Sequence, residues 1–120
     1  MKLCKASGPL TPKLARVFRM PKLYEYFGLR VYFYANDHEP VHVHGFYQGR
    51  ESKAELVIVN GVVVRIRILP VAGMKPLIGH ARANFELLVS RRSEDIVQKW
   101  VEFFVQRRPV STEIITRRLK

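Results

Sequence analysis

Three histidines fall within seven residues, in the run Asp37-His38-Glu39-Pro40-Val41-His42-Val43-His44. An imidazole changes charge near neutral pH, donates or accepts a proton, and is the commonest side-chain ligand of transition metals. If Val41 to Tyr47 form a strand, His42 and His44 project to one side, with Cα atoms about 6.7 Å apart. Two rings at that spacing can meet a shared object: a metal ion, a phosphate or a scissile bond. His38 precedes Pro40 in a loop able to fold back towards the pair. Asp37 or Glu39 is placed to orient a ring, because a carboxylate on one ring nitrogen fixes the tautomer and raises the basicity of the other. Three uses stay open. His38, His42 and His44 can act as acid and base, the same three can ligate a metal, or they can make structural hydrogen bonds between turn and strands. The pattern specifies no cofactor.

The elements that must position these groups are mostly strands. Leu23 to Phe27 and Leu29 to Tyr34 are rich in aromatic and β-branched residues around Gly28, which predicts a hairpin. Ala35 to Pro40 is turn chemistry. Val41 to Tyr47 is a third strand, followed by a turn at Gln48-Gly49. Lys53 to Val59 and Val62 to Leu69 are two more, joined by Asn60-Gly61, a strong hairpin signal. Pro70 to Pro76 form a loop. From Ile78 the period turns helical: Ala81, Phe85, Leu88, Val89, Ile96, Val97, Trp100, Val101 and Phe104 make one apolar stripe. Ser93-Glu94-Asp95 also reads as a fresh helix start, so a break there is an alternative. The expected fold is α+β, a small antiparallel sheet of about five strands followed by a long C-terminal helix packed on one face. The expected division is a basic N-terminal extension (1–19), an α+β domain (20–105) and a basic C-terminal tail (106–120). One short helix fits between Pro12 and Pro21, and Met20-Pro21 is an alternative start of translation.

Charge singles out a second set of residues. The 120 residues carry a formal net charge of +11. Residues 1–22 hold six Lys/Arg and no acid, and residues 106–120 hold five against Glu113 alone. The stretch between has ten basic and nine acidic residues, close to neutral. Basic ends suit phosphates or an acidic partner, and equally serve solubility. Arg30 beside Tyr32 and Tyr34, Arg65 and Arg67 on one face of a strand, and Arg117 and Arg118 in the tail are the candidate binding residues, with Asp37. Trp100, Phe85, Phe103 and Phe104 could stack on bases, but at helical spacing they are better read as core. A single cysteine, Cys4, excludes an internal disulfide framework. No apolar run reaches the roughly 20 residues of a membrane helix and no secretory signal is visible, so the expected location is the cytoplasm. A Gly-rich phosphate loop, a Cys-x-x-Cys pair, a serine nucleophile elbow and a His-Glu-x-x-His motif are all missing, which removes most support for nucleotide-dependent or serine-hydrolase chemistry.

Met20-Pro21, Phe27-Gly28-Leu29-Arg30-Val31-Tyr32-Phe33-Tyr34 and Asn36-Asp37-His38-Glu39-Pro40-Val41-His42-Val43-His44 together resemble the bacterial domain of unknown function 4160 family. That family shows a glycine-linked hairpin leading into an N-D-H-x-P-x-H-V/F-H segment, and Trp100 in a charged C-terminal helix also fits. The likeness spans roughly residues 20–105. It implies a small prokaryotic protein encoded beside a second short protein, in a gene pair of toxin–antitoxin type, with this chain as the candidate toxin. The expected partner is that cognate protein; RNA is a further expected partner, read from the basic ends and the same-face histidine pair. The resemblance implies no established activity. What carries over is the motif itself, Asp37, His38, Pro40, His42 and His44.

Overall fold

A computed structural model of the chain describes residues 20–120. The short helix expected between Pro12 and Pro21 and the basic extension 1–19 fall outside the described residues. Five strands run in succession: β1 (Lys22–Tyr26), β2 (Leu29–Tyr32), β3 (His42–Tyr47), β4 (Arg50–Val59) and β5 (Val62–Pro70). Each pairs antiparallel with the next. Three of the connections turn on Phe27-Gly28, Gln48-Gly49 and Asn60-Gly61, and both residues of each pair have positive φ. Such turns match the right-handed twist of the strands they join. The fourth connection, residues 33–41, is long enough to fold back over the sheet.

Two expectations need correction. The sheet has six strands, because Glu113–Ile115 (β6) adds in parallel to β1, giving the order β5-β4-β3-β2-β1-β6. A three-residue strand is too short to show alternation, and what seats it is remote in sequence. The Arg92 guanidinium binds Glu113 in bidentate fashion at 3.0 Å, and the Thr112 hydroxyl donates to the Lys22 carbonyl at 2.8 Å. Nor is there one long C-terminal helix. α1 (Gly79–Arg91) and α2 (Ser93–Trp100) are separate, and a π-helical turn follows at Val101–Val105. Arg92, at φ −112° and ψ 16°, makes the break. Glu94 and Asp95 then open α2, where acids suit the N-terminal dipole.

The core lies between the helices and one sheet face. Ala81, Phe85, Leu88, Val89, Ile96 and Trp100 are buried as the stripe predicts, together with Val31, Val43, Ala54 and Leu56. Gly45 shares that face by alternation with Val43, and its lack of a side chain is required. A Cβ there would stand 2.7 Å from the Phe85 ring. The opposite face carries the chemistry. His44 pairs with Tyr32 and Lys53, His42 with Glu55, and Phe46 with Arg30 and Glu51, which puts all of them on one side. Among the described residues, no helix is long and apolar enough to cross a membrane.

Candidate metal centre

His42 and His44 do share a face of β3, and their rings lie 5.1 Å apart. What reaches them from the 33–41 connection is Asp37. Its Oδ2 accepts the Tyr34 backbone N–H at 2.9 Å, a local bond that bends the loop and aims the carboxylate at the histidines. Asp37 Oδ1 stands 3.1 Å from His42 Nε2, and Oδ2 stands 3.6 Å from His44 Nε2. All three side chains are largely buried.

The remaining ring nitrogens are both tied to acceptors. His42 Nδ1 donates to the Pro40 carbonyl at 2.8 Å. His44 Nδ1 donates to Glu51 Oε2 at 3.0 Å. A backbone carbonyl only accepts, so His42 Nδ1 holds its ring hydrogen, and a carboxylate partner gives His44 the same tautomer. In the neutral rings, both Nε2 lone pairs then point at the Asp37 carboxylate. Three electron-rich atoms converge on one small volume. His44 Nε2 is buried there with no hydrogen-bond partner. An orphaned buried polar atom is costly unless something occupies the seat it faces.

Without a cation, a proton on His42 Nε2 provides the balancing charge. Burial opposes the charged ring, but the bonds to Asp37 and the Pro40 carbonyl outweigh it and raise the His42 pKa above its ordinary 6.5. Asp37 is the complement. Burial alone would raise its pKa, and the histidines and the Tyr34 N–H hold it far below the carboxylate range. His44 Nε2 stands 3.6 Å from the carboxylate, beyond hydrogen-bond reach.

A second layer fixes the geometry. Tyr34 stacks on the His44 ring at 4.0 Å and donates its hydroxyl to Glu51 Oε2 at 2.5 Å. Burial, then the bond to Glu51, raises the Tyr34 pKa well above the usual phenol value. Trp100 closes on His42 with ring centres 5.6 Å apart. Glu51 itself is 2% exposed.

The other sequence-predicted residues are elsewhere. His38 is exposed and faces a cleft of about 1270 Å³ that opens beside Asp37. Arg30 and Tyr32 line that cleft too, with Phe46, Phe103, Phe104, Arg107 and Arg108. Phe103 and Phe104 are half-buried, while Phe85 and Trp100 belong to the core. Arg65 and Arg67 lie out on β5, Arg67 within 3.5 Å of Glu55. Arg118 reaches Asn84 and the Phe27 ring, and Arg117 is exposed; neither lines the cleft.

A family model, Domain of unknown function (DUF4160), matches residues 28–101. The chain belongs to this family. The matched span holds Arg30, the three converging side chains, Glu51 and Trp100, whereas Arg107 and Arg108 fall beyond it. No curated protein and no solved structure matched the chain. Glu51 and Tyr34 are the site residues that sequence reasoning missed. The signal for Glu51 was the Gln48-Gly49 turn. Read as a two-residue hairpin, it pairs Tyr47 with Arg50 and puts Glu51 diagonally beside His44.

Proposed function

We propose that this DUF4160 protein binds one divalent transition-metal ion through Asp37, His42 Nε2 and His44 Nε2, and presents it to a ligand held in the adjoining cleft. The observation that carries the reading is the buried, unpartnered Nε2 of His44, aimed at a carboxylate and a second imidazole whose far nitrogens are already engaged. Ligating histidines habitually donate their other N–H to a carboxylate or carbonyl, which is what Glu51 and Pro40 supply. Ligands of one ion at bond lengths of about 2.1 Å lie about 3.0–3.4 Å apart, close to the observed 3.1 and 3.6 Å. A divalent ion with two neutral rings would also balance the charges of Asp37 and Glu51. Two histidines and one carboxylate leave coordination positions open. An ion so held lowers the pKa of bound water or polarises a phosphoryl or carbonyl oxygen. The role is therefore a metal-dependent hydrolytic site, in keeping with a cytoplasmic toxin-like member of a gene pair. Protein purified from medium supplemented with zinc, manganese and iron should carry about one metal per chain and lose melting temperature in chelator. Absence of stoichiometric metal together with an unchanged melt would refute the reading.

A cognate acidic protein remains a second proposal for one reason. The only acid of residues 106–120, Glu113, is neutralised by Arg92, so the basic end faces outward uncompensated. Co-purification with the neighbouring gene product, abolished by charge reversal at Arg117 and Arg118, is the expected result; a neutral or basic neighbour that never co-purifies counts against it.

A further inference from the structure

The cleft beside Asp37 has a composition that the metal reading does not use. We infer that it is a binding site for single-stranded nucleic acid, which is the substrate class brought to the ion. The inference rests on the metal reading for what happens after binding, and stands apart from it for binding itself.

Three arginines face this cleft, Arg30 from β2 and Arg107 and Arg108 just past the π turn. Each is exposed, and none forms an ion pair among the described residues. Among the described residues, the only acid of the wall is Asp37, whose charge is already answered by His42. Unpaired guanidinium groups gathered in a concavity select a ligand with several negative charges. Tyr32 and Phe46 meet edge to face, with ring centres 5.5 Å apart, on the same sheet face as Arg30. Both are half-buried and reach the cleft.

Aromatic rings interleaved with cations on a strand pair are how sequence-tolerant proteins hold unpaired bases and track their backbone. A duplex hides its bases in the stack and has no use for such rings. At about 1270 Å³ the cleft also exceeds the roughly 300–1,000 Å³ of ordinary small-molecule pockets, so more than one nucleotide is accommodated. Asp37 is the physical link: it belongs to the ligand set and lines the cleft, so a phosphodiester lying there would be close to the ion.

The test is fluorescence anisotropy of the full chain with a labelled 12-mer of uridine, of deoxythymidine, and with a duplex of the same length, all in chelator. The expected result is binding of a single strand in preference to the duplex, seen in chelator and therefore without metal. Retained binding with no metal content in the wild type would sink the metal reading and leave this one. Comparing uridine with deoxythymidine decides whether RNA or DNA is the better ligand. With three arginines on phosphates, raising salt from 50 to 200 mM should weaken binding about twentyfold, from a logarithmic slope of about −2. Reversing Arg30, Arg107 and Arg108 to Glu should abolish binding, and Phe46→Leu, which keeps an apolar side chain, should weaken it about tenfold. The matched control reverses Arg65, Arg82 and Arg91, which lie outside the cleft. Equal loss from the control triple, equal affinity for duplex, or no binding at low salt would overturn the proposal.

Discussion

His42 and His44 are two residues apart on one strand, yet their environments differ in a way that gives each its own test. His44 is sealed, stacked under Tyr34 and bonded to Glu51, so its ring is positioned by the layer beneath it. Glu51→Gln replaces the carboxylate that orients that ring and should cost 10–100-fold in metal affinity, with the fold intact, as measured by competition with a chromogenic chelator. His42 is the pair's proton carrier when metal is absent. Its folded pKa is raised, so its contribution to stability is complete below about 6.5, the unfolded value, and is lost as pH rises through the folded value. Asp37, held low, contributes above about 3.8 and loses that only in strong acid. Denaturant unfolding of metal-free protein should therefore show a loss of stability on the alkaline side that His42→Asn flattens. An identical pH profile in both proteins would show that the His42–Asp37 pair contributes nothing.

At the scale of elements, the site exists because a strand, a folded-back loop and a hairpin register agree. Gly45 is where the two sheet faces constrain each other, since the residue beside His44 must let Phe85 of α1 lie almost on the backbone. Phe85 is fully buried and cannot swing away, so Gly45→Ala should destabilise by about 1–3 kcal/mol through overpacking, read as a shifted denaturation midpoint. An unchanged midpoint would mean that α1 is not seated as described. Much of this level was legible in the sequence. The Asn60-Gly61 hairpin, the same-side projection of His42 and His44, and the apolar helical stripe all follow from period and turn chemistry. The rest was not, for local reasons. β6 is too short to have a period. The break between α1 and α2 was legible only from one side, since Ser93-Glu94-Asp95 marks a fresh start but Arg92 ends α1 without a glycine or proline. Asp37 rather than His38 turns inward because a backbone hydrogen bond at Tyr34 sets the loop, which spacing does not encode.

Across the whole molecule, the sheet separates two duties. One face builds the core with α1 and α2, and the other gathers histidines, carboxylates, half-buried aromatics and exposed arginines. The strand order that makes this possible is closed at its β1 edge by the C-terminal segment, through Ile115 and through the Leu119 N–H donated to the Tyr26 hydroxyl. Removing residues 111–120 should therefore lower thermal stability, because it strips a paired strand and a buried isoleucine from the edge. A truncated chain that melts like the full one would show that β6 is peripheral to the fold.

The proposed metal site is tested most directly by asking which side chains hold zinc. Equilibrium dialysis of metal-free protein against zinc, run side by side on wild type and on His38→Ala, Asp37→Ala, His42→Ala and His44→Ala, separates the possibilities directly. One tight equivalent should be bound by wild type and His38→Ala and lost from the other three. Loss of zinc from His38→Ala with retention by Asp37→Ala, or no tight equivalent in any of the proteins, would contradict it.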